Sequence, residues 1–275
     1  MIPHRVHRQA SCDVQYPKGN RDDQSLILEK EPASGLPFPV TRFRTTKCSL
    51  FRSGRHTGSY SKERQAQKKN FALRAKLFFF TKSILDRVLA LAVLILLVPA
   101  MIAIAILIKL DSPGPVFFRQ SRVGLRGRVF RIWKFRTMYN AEADIHGSRL
   151  TERDDARITT VGRWLRQWSL DEVPQLFNVL SGDMSLVGPR PHALHANIGG
   201  CSYADIVPGY YRRHVVKPGI TGWAQVNGWR GETVLPFQIE QRVAHDLEYV
   251  QQNSLLLDLR IMILTVARYS NTGVF

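Results

Sequence analysis

The sequence predicts an α/β domain fastened to a membrane, with a re-entrant N-terminal membrane helix, a short hairpin and interfacial amphipathic helices. Three observations carry that prediction. Val88–Ile108 is a run of 21 residues without a formal charge, and Pro99 stands near its middle. Directly after it come two short β-branched and aromatic runs around a Gly- and Arg-containing turn. The remaining chain alternates amphipathic stretches with compact Gly-Pro motifs.

Residues 1–80 read as a basic, disordered cytosolic tail. Over residues 1–70 apolar residues are sparse, and Pro, Gly, Ser, Arg and Lys dominate. Such a segment buries too little surface to offset its ordering entropy. It has no apolar core near residues 10–20 and so is no secretory signal. The whole chain of 275 residues carries a formal charge of +17. A surface of that sign seeks anions: nucleic acid, anionic lipid or phosphorylated substrates. Cys12, Cys48 and Cys201 form neither a metal spacing nor an even disulfide set, which suits a reducing compartment. A P-loop and a G-x-G-x-x-G motif are both missing, so a dinucleotide fold has no support.

Residues 81–110 are the membrane-inserted helix. As a straight helix, Val88–Ile108 would be about 30 Å long, enough to cross a hydrocarbon core. It is too uniformly apolar for an amphipathic core helix. Two features argue that it enters and returns. Pro99 removes a backbone bond and breaks the helix. Of 39 Lys and Arg residues, 18 precede Val88 and 21 follow it. Both flanks are therefore basic, and a single span would place one of them on the side that normally holds few such charges.

Ser112-Pro113-Gly114-Pro115 forces a turn. Val116–Phe118 and Val129–Phe135 are expected to pair across Leu125–Arg128, with the nearby arginines and Lys134 as ordinary solvated or lipid-facing charges. Val161–Trp168 reads as an amphipathic helix lying in an interface. Gln238–Val250 reads as a helix, and Leu255–Ala267 as a second, more apolar one, interrupted by Asp258 and Arg260 and too broken to span.

The centre of the chain is Ser169–Pro191. Asp171 and Glu172 are adjacent carboxylates at an expected helix start, with Ser169 at capping-box spacing and Gly182 as the stop. By itself an Asp-Glu pair in a first turn is a dipole-stabilising cap. Beside free N–H groups it also suits anions and divalent metals. Gly188-Pro189-Arg190-Pro191 holds one guanidinium on a stiff loop, and a planar fork suits phosphate. Lys217–Gly228 adds a tight loop whose backbone N–H groups could cradle another phosphate.

Asp111–Gly124, Lys134–Met138, Asp155–Arg166, Ser169–Pro191 and Lys217–Gly228, in that order, resemble the bacterial sugar transferase family. These are the monotopic polyprenyl-phosphate phosphoglycosyl transferases. The resemblance runs from about Thr81 to the C-terminus and places the domain at residues 81–275. It implies a cytoplasmic-face enzyme of the inner membrane that starts exopolysaccharide or capsule synthesis. Sugar-1-phosphate would pass from a UDP-sugar to undecaprenyl phosphate, releasing UMP, through an aspartyl phosphosugar intermediate and with Mg²⁺. An aspartate is already ionised at neutral pH and needs no partner base.

Carried over residue by residue, Asp171 is the nucleophile. Glu172 is the carboxylate that supports the metal, and Asp246 is a third acidic metal position. Arg190 within Pro189–Pro191 and Arg166 are phosphate-binding arginines. Pro191-His192-Ala193 and Trp229–Thr233 resemble the branch that transfers glucose-1-phosphate. Two positions depart from the family: Val98 stands where Ser commonly precedes the proline, and no Trp precedes Ser254. The implied partners are a UDP-sugar, undecaprenyl phosphate and membrane lipid, with room for a homodimer and with no nucleic acid. Two other readings compete, a membrane-tethered nucleic-acid-binding protein and an inactive assembly adaptor. The sequence has no helix-turn-helix, RRM or zinc signature for the first, and the intact Asp171-Glu172 pair opposes the second.

Overall fold

The computed structural model describes residues 57–139, 155–231 and 233–271. The described residues divide into a compact unit from Phe78 onward and a second unit that holds Thr57–Leu77. Of the expected tail, residues 1–56 lie outside the described residues. From Thr57 onward the tail expectation is corrected, because helix α1 covers Thr57–Asp111. Residues 61–73 are rich in Lys, Glu, Gln, Ala and Leu, all good helix formers.

Pro99 lies inside α1, which continues on both sides of it, so the expected interruption of the helix is not seen. The buried positions explain why the register holds. Lys82, Asp86, Ala90, Leu94, Met101, Ile104 and Ile108 recur at spacings of three, four and seven, and they form one stripe through the proline. The other faces expose Val88, Leu91, Ile95, Leu96, Ile102, Ile106 and Leu110. Soluble helices do not present that much contiguous apolar surface to water. Lys76–Asp111 is long and apolar enough to cross a membrane by length and composition.

Both ends of the apolar stretch are tied to the domain. At the first, Lys82 pairs with Asp258 at 2.6 Å and Ser185 Oγ donates to Asp86 at 2.5 Å. At the second, Arg136 donates to the carbonyls of Ile108, Ser112 and Pro113 at 2.6–3.1 Å. Arg136 is therefore a buried cap on the last, unsatisfied carbonyls of α1 rather than a solvated charge.

The hairpin forms as expected, with a longer first strand. β1 (Phe117–Val123) pairs antiparallel with β2 (Val129–Phe135), in a register from Phe117↔Phe135 to Val123↔Val129. Arg119 covers the Trp133 ring at 3.5 Å, and Phe117 stacks on Phe135. The Asn178 side chain, 2% exposed, acts as a substitute strand edge. It accepts from Trp133 N and donates to Arg131 O. That clamp sets β2 against the segment holding Asp171 and Glu172.

Helix α2 (Thr160–Gln167) is capped by Thr159, whose side chain accepts from Gly162 N. It buries Leu165 and exposes Trp164, and Trp168 just past its end is exposed as well. A Cβ on Gly162 would sit 2.1 Å from Thr137 O, so only glycine lets α2 approach β2's continuation. The expected helix after Ser169 is instead a 3-10 turn, Leu170–Gln175, followed by α3 (Leu176–Ser181). Gly182 stops α3 in the left-handed conformation, as predicted.

β3 (Ser185–Val187) runs parallel to β6 (Gly219–Thr221). A small antiparallel pair, β4 (Asn197–Ile198) and β5 (Cys201–Ser202), lies between them in sequence with helix α4 (Tyr203–Ile206). Cys201 is disulfide-bonded, which the reading of the three cysteines as suited to a reducing compartment did not anticipate. Helices α5 (Trp223–Val226), α6 (Pro236–Gln252) and α7 (Leu255–Asn271) complete the chain. α6 buries Ile239, Val243, Asp246 and Tyr249 at helical spacing. α7 buries Ile261 and Asp258 while exposing Leu256, Leu259, Ile263 and Val266.

The phosphate cradle expected at Lys217–Gly228 is corrected. Gly219 N donates to Pro189 O, and Gly188 N donates to Thr221 O, so these backbone donors serve the fold. Cβ atoms on Gly188, Gly219 and Gly222 would fall within 2.4 Å of the facing backbone. The glycines allow two chain segments to interlock under Pro189–Pro191.

Candidate active site

Asp171 and Glu172 both leave the 3-10 turn after Ser169 and lie largely buried, Asp171 at 7% exposure. Ser169 is left-handed (φ 53°) and makes no capping hydrogen bond, so the capping box is not realised. Its hydroxyl accepts from Arg230 instead. The turn thus directs two consecutive carboxylates inward, where burial would neutralise them without cations nearby.

Two cations answer that demand. Lys134, near the end of β2, places Nζ 2.9 Å from Glu172 Oε1 and 3.3 Å from Asp171 Oδ2. Arg190 forms a two-pronged pair with Glu172, one prong at 3.0 Å. The consequences for the two acids diverge. Burial raises the Asp171 pKa, and Lys134, the strongest opposing influence, does not fully offset it; the Glu172 charge adds to the rise. Burial alone would raise Glu172 as well, but Arg190 and then Lys134 outweigh it and hold that carboxyl well below its usual range. Glu172 is the fixed anion, and Asp171 is the more basic oxygen donor, the one better suited to form a bond. The expectation that Asp171 is ionised unaided is therefore refined, since its ionisation leans on Lys134.

Arg166 reaches Thr137 Oγ1 at 2.9 Å, and its charge is felt at Asp171. Arg190, Glu172, Asp171, Lys134 and Arg166 thus form one neighbourhood. Asp246 does not join it as a third metal ligand. Its carboxylate, 1% exposed with its residue, meets Arg213 at 2.7–2.9 Å. Arg213, 1% exposed, also donates to the Arg190 carbonyl at 2.6 Å and contacts His192 Nδ1 at 3.0 Å. Asp246 and Arg213 therefore brace the Pro189–Pro191 loop from behind. Both Arg213 contacts fall on Asp246 Oδ2, and that guanidinium partner is wholly buried.

Among the described residues, no three His, Cys, Asp or Glu side chains converge on a metal position. Asp171 and Glu172 alone still suit Mg²⁺, which commonly takes one or two carboxylates and fills its other positions with water and phosphate oxygens. The donor set fits that ion with two protein ligands, not three.

Lys134, Thr137, Arg213 and Arg230 are site residues that spacing did not reveal. Lys134 and Thr137 belong to a motif visible in the sequence, but only the hairpin register and the Gly162 contact bring them to Asp171 and Arg166.

The family model of bacterial sugar transferases matches residues 77–272. A UDP-glucose:undecaprenyl-phosphate glucose-1-phosphate transferase of Xanthomonas campestris pv. campestris is 50% identical over 197 residues, 71% of this chain and 40% of that protein. A protein of the same name from Escherichia coli (strain K12) is 51% identical over 181 residues, 66% of this chain and 38% of that protein. The exopolysaccharide production protein PSS of Rhizobium leguminosarum bv. phaseoli is 45% identical over 184 residues, 67% of this chain and 92% of that protein. The chain spans about two fifths of the length of the first two relatives.

Proposed function

The chain belongs to the bacterial sugar transferase family, and on that premise we propose that it transfers glucose-1-phosphate from UDP-glucose to undecaprenyl phosphate, releasing UMP. The observation that carries the mechanism is the dyad itself. One buried carboxylate has a raised pKa, and its neighbour is locked to Arg190 and Lys134. An Asp171 oxygen attacks the phosphorus that bears the sugar, and the bond to the UMP oxygen breaks. The lipid phosphate then attacks the same phosphorus, and Asp171 leaves as a free carboxylate. Lys134, Arg190 and Arg166 lie around these atoms and offset charge on the phosphoryl oxygens. Mg²⁺, held by Asp171 and Glu172, would supply further charge neutralisation at the phosphoryl group. The names of the relatives support the substrates. The direct test is purified protein in detergent with a panel of UDP-sugars and undecaprenyl phosphate, scoring UMP release. UDP-glucose is expected to be the best donor. Release with no UDP-sugar above background would end this reading.

The metal makes a separate prediction. Two carboxylates facing an anionic phosphoryl group repel it unless cations intervene. EDTA is expected to abolish turnover and Mg²⁺ to restore it. Full activity in EDTA would mean that Lys134 and the arginines suffice.

The setting we infer is the cytoplasmic face of the inner membrane, with α1, unbroken at Pro99, inserted from one side and not spanning. Two supports come from the packing. The domain bonds to α1 at Lys82–Asp86 and again at Ile108–Ser112, and the buried stripe between them joins the same core as β2, α2 and α3. A straight span would put those two attachments on opposite sides of a bilayer about 30 Å thick, with polar domain surface inside it. The equally basic flanks point the same way. Tyr60→Cys and Leu150→Cys should both be shielded from an impermeant external label in intact cells. Labelling of one and not the other would establish a spanning helix.

A further inference from the structure

Close to Arg190 lie two guanidiniums with no ion-paired carboxylate among the described residues, although the Glu172 charge is felt at Arg122 and the Asp246 charge at Arg242. Arg122, on β1, donates to Gln120 Oε1 and to Pro191 O at 3.5 Å. Arg242, on α6 and 8% exposed, donates to Gly231 O at 2.9 Å. Among the described residues neither takes part in an ion pair, and the buried Nε of each has no hydrogen-bond partner. The nearby acids are already engaged: Glu172 by Arg190 and Lys134, and Asp246 by Arg213. Yet both guanidiniums crowd Arg190. Burial, followed by repulsion from Arg190, brings each down to about 10. His192, whose Nε2 is buried and unpartnered, lies within reach of both charges and is itself held well below its usual range, first by burial and then by Arg213, Arg242 and Arg122.

Gathering like charges in a desolvated place is unfavourable unless a ligand completes it. The missing ligand is an anion with at least two charges, and a planar fork prefers phosphate oxygens. The carbonyl of Pro191 holds Arg122 on the same loop that presents Arg190. Arg122, Arg190 and Arg242 therefore gather about the Pro189–Pro191 loop, where Arg190 meets Glu172.

We propose that Arg122 and Arg242, with Arg190, form the cradle for the donor's diphosphate, and that they hold the phosphate that departs with the nucleoside. This rests on the donor being a nucleoside diphosphate sugar, as argued above. As the bond to the attacked phosphorus breaks, negative charge grows on the bridging oxygen of the departing nucleoside monophosphate. Two unneutralised guanidiniums at that end stabilise it without taking a proton.

Equilibrium binding of UDP to the full chain in detergent micelles, read by calorimetry, tests this without turnover. Arg122→Gln and Arg242→Gln are each expected to weaken UDP binding roughly tenfold or more, and Arg122→Lys and Arg242→Lys to recover part of it. The ligand-free Gln variants should melt at the wild-type temperature or above it, because the charge removed had no counter-ion. Unchanged UDP affinity in both folded Gln variants overturns the cradle, as does a large fall in melting temperature with affinity retained. If UDP binding is unchanged and only discharge of the labelled enzyme by undecaprenyl phosphate slows, the cations serve the acceptor and the donor assignment falls. The same binding measured on an Asp171→Asn background separates this proposal from the covalent mechanism: its dependence on Arg122 and Arg242 should persist there whatever happens to turnover.

Discussion

Asp171→Asn is expected to fold, insert and bind UDP-glucose, and to lose turnover by several orders of magnitude. Asparagine keeps the volume of a side chain that is 7% exposed and still offers Lys134 an acceptor oxygen. What it removes is the anionic carboxylate proposed to attack phosphorus. Among the described residues the other carboxylate at this place, Glu172, is bound by Arg190 and Lys134 and kept strongly acidic, which makes it a poor replacement. Wild-type protein given labelled UDP-glucose without lipid acceptor should become labelled at Asp171. It should release one equivalent of UMP as a burst, and Asp171→Asn should show neither. Glu172→Gln should slow the reaction while leaving labelling detectable. Near-normal turnover in a well-folded Asp171→Asn protein would remove the covalent mechanism.

Lys134→Met is the second large effect, and its signature is a pH profile. The nucleophile acts when ionised, and its pKa is raised by burial, so the acid limb of the first half-reaction should lie above the ordinary aspartate range. Lys134 is the strongest influence pulling that pKa down. Its removal therefore moves the limb further up. Activity at neutral pH should fall on the order of a hundredfold or more, and raising the pH should recover part of it. Lys134→Arg keeps the charge and should hold the limb near its wild-type position with a smaller loss. A purely structural role for Lys134 would lower activity equally at every pH and leave the limb where it was. The burst of UMP release, followed from acid to alkaline pH, separates the two outcomes.

Local chemistry made part of this molecule legible in advance. The apolar run of Val88–Ile108, a hairpin of two short strands, helices at 161–168, 238–250 and 255–267 and the stop at Gly182 follow from periodicity, turn residues and glycine placement, and elements overlapping each of them form. Those signals act over a few residues, so sequence order preserves them. The Asp171-Glu172 pair and Arg190 stand out as candidates because short motifs carry them, and their roles came from the family resemblance.

Relations between distant segments were decided by the tertiary structure alone. Lys134 reads as a solvated strand residue until Asn178 clamps β2 beside the dyad. Asp246, a metal position only by the family resemblance and otherwise a helix-surface acid, is instead buried against Arg213, 33 residues earlier. The glycines of Lys217–Gly228 read as a phosphate loop until Gly188 is seen pressed against them. Ser169 reads as a cap until a left-handed backbone turns it toward Arg230. In each case the residue has one local use and one long-range use, and burial chooses between them. A charge or N–H taken out of water must find a partner, and only the folded chain determines which partner lies within reach.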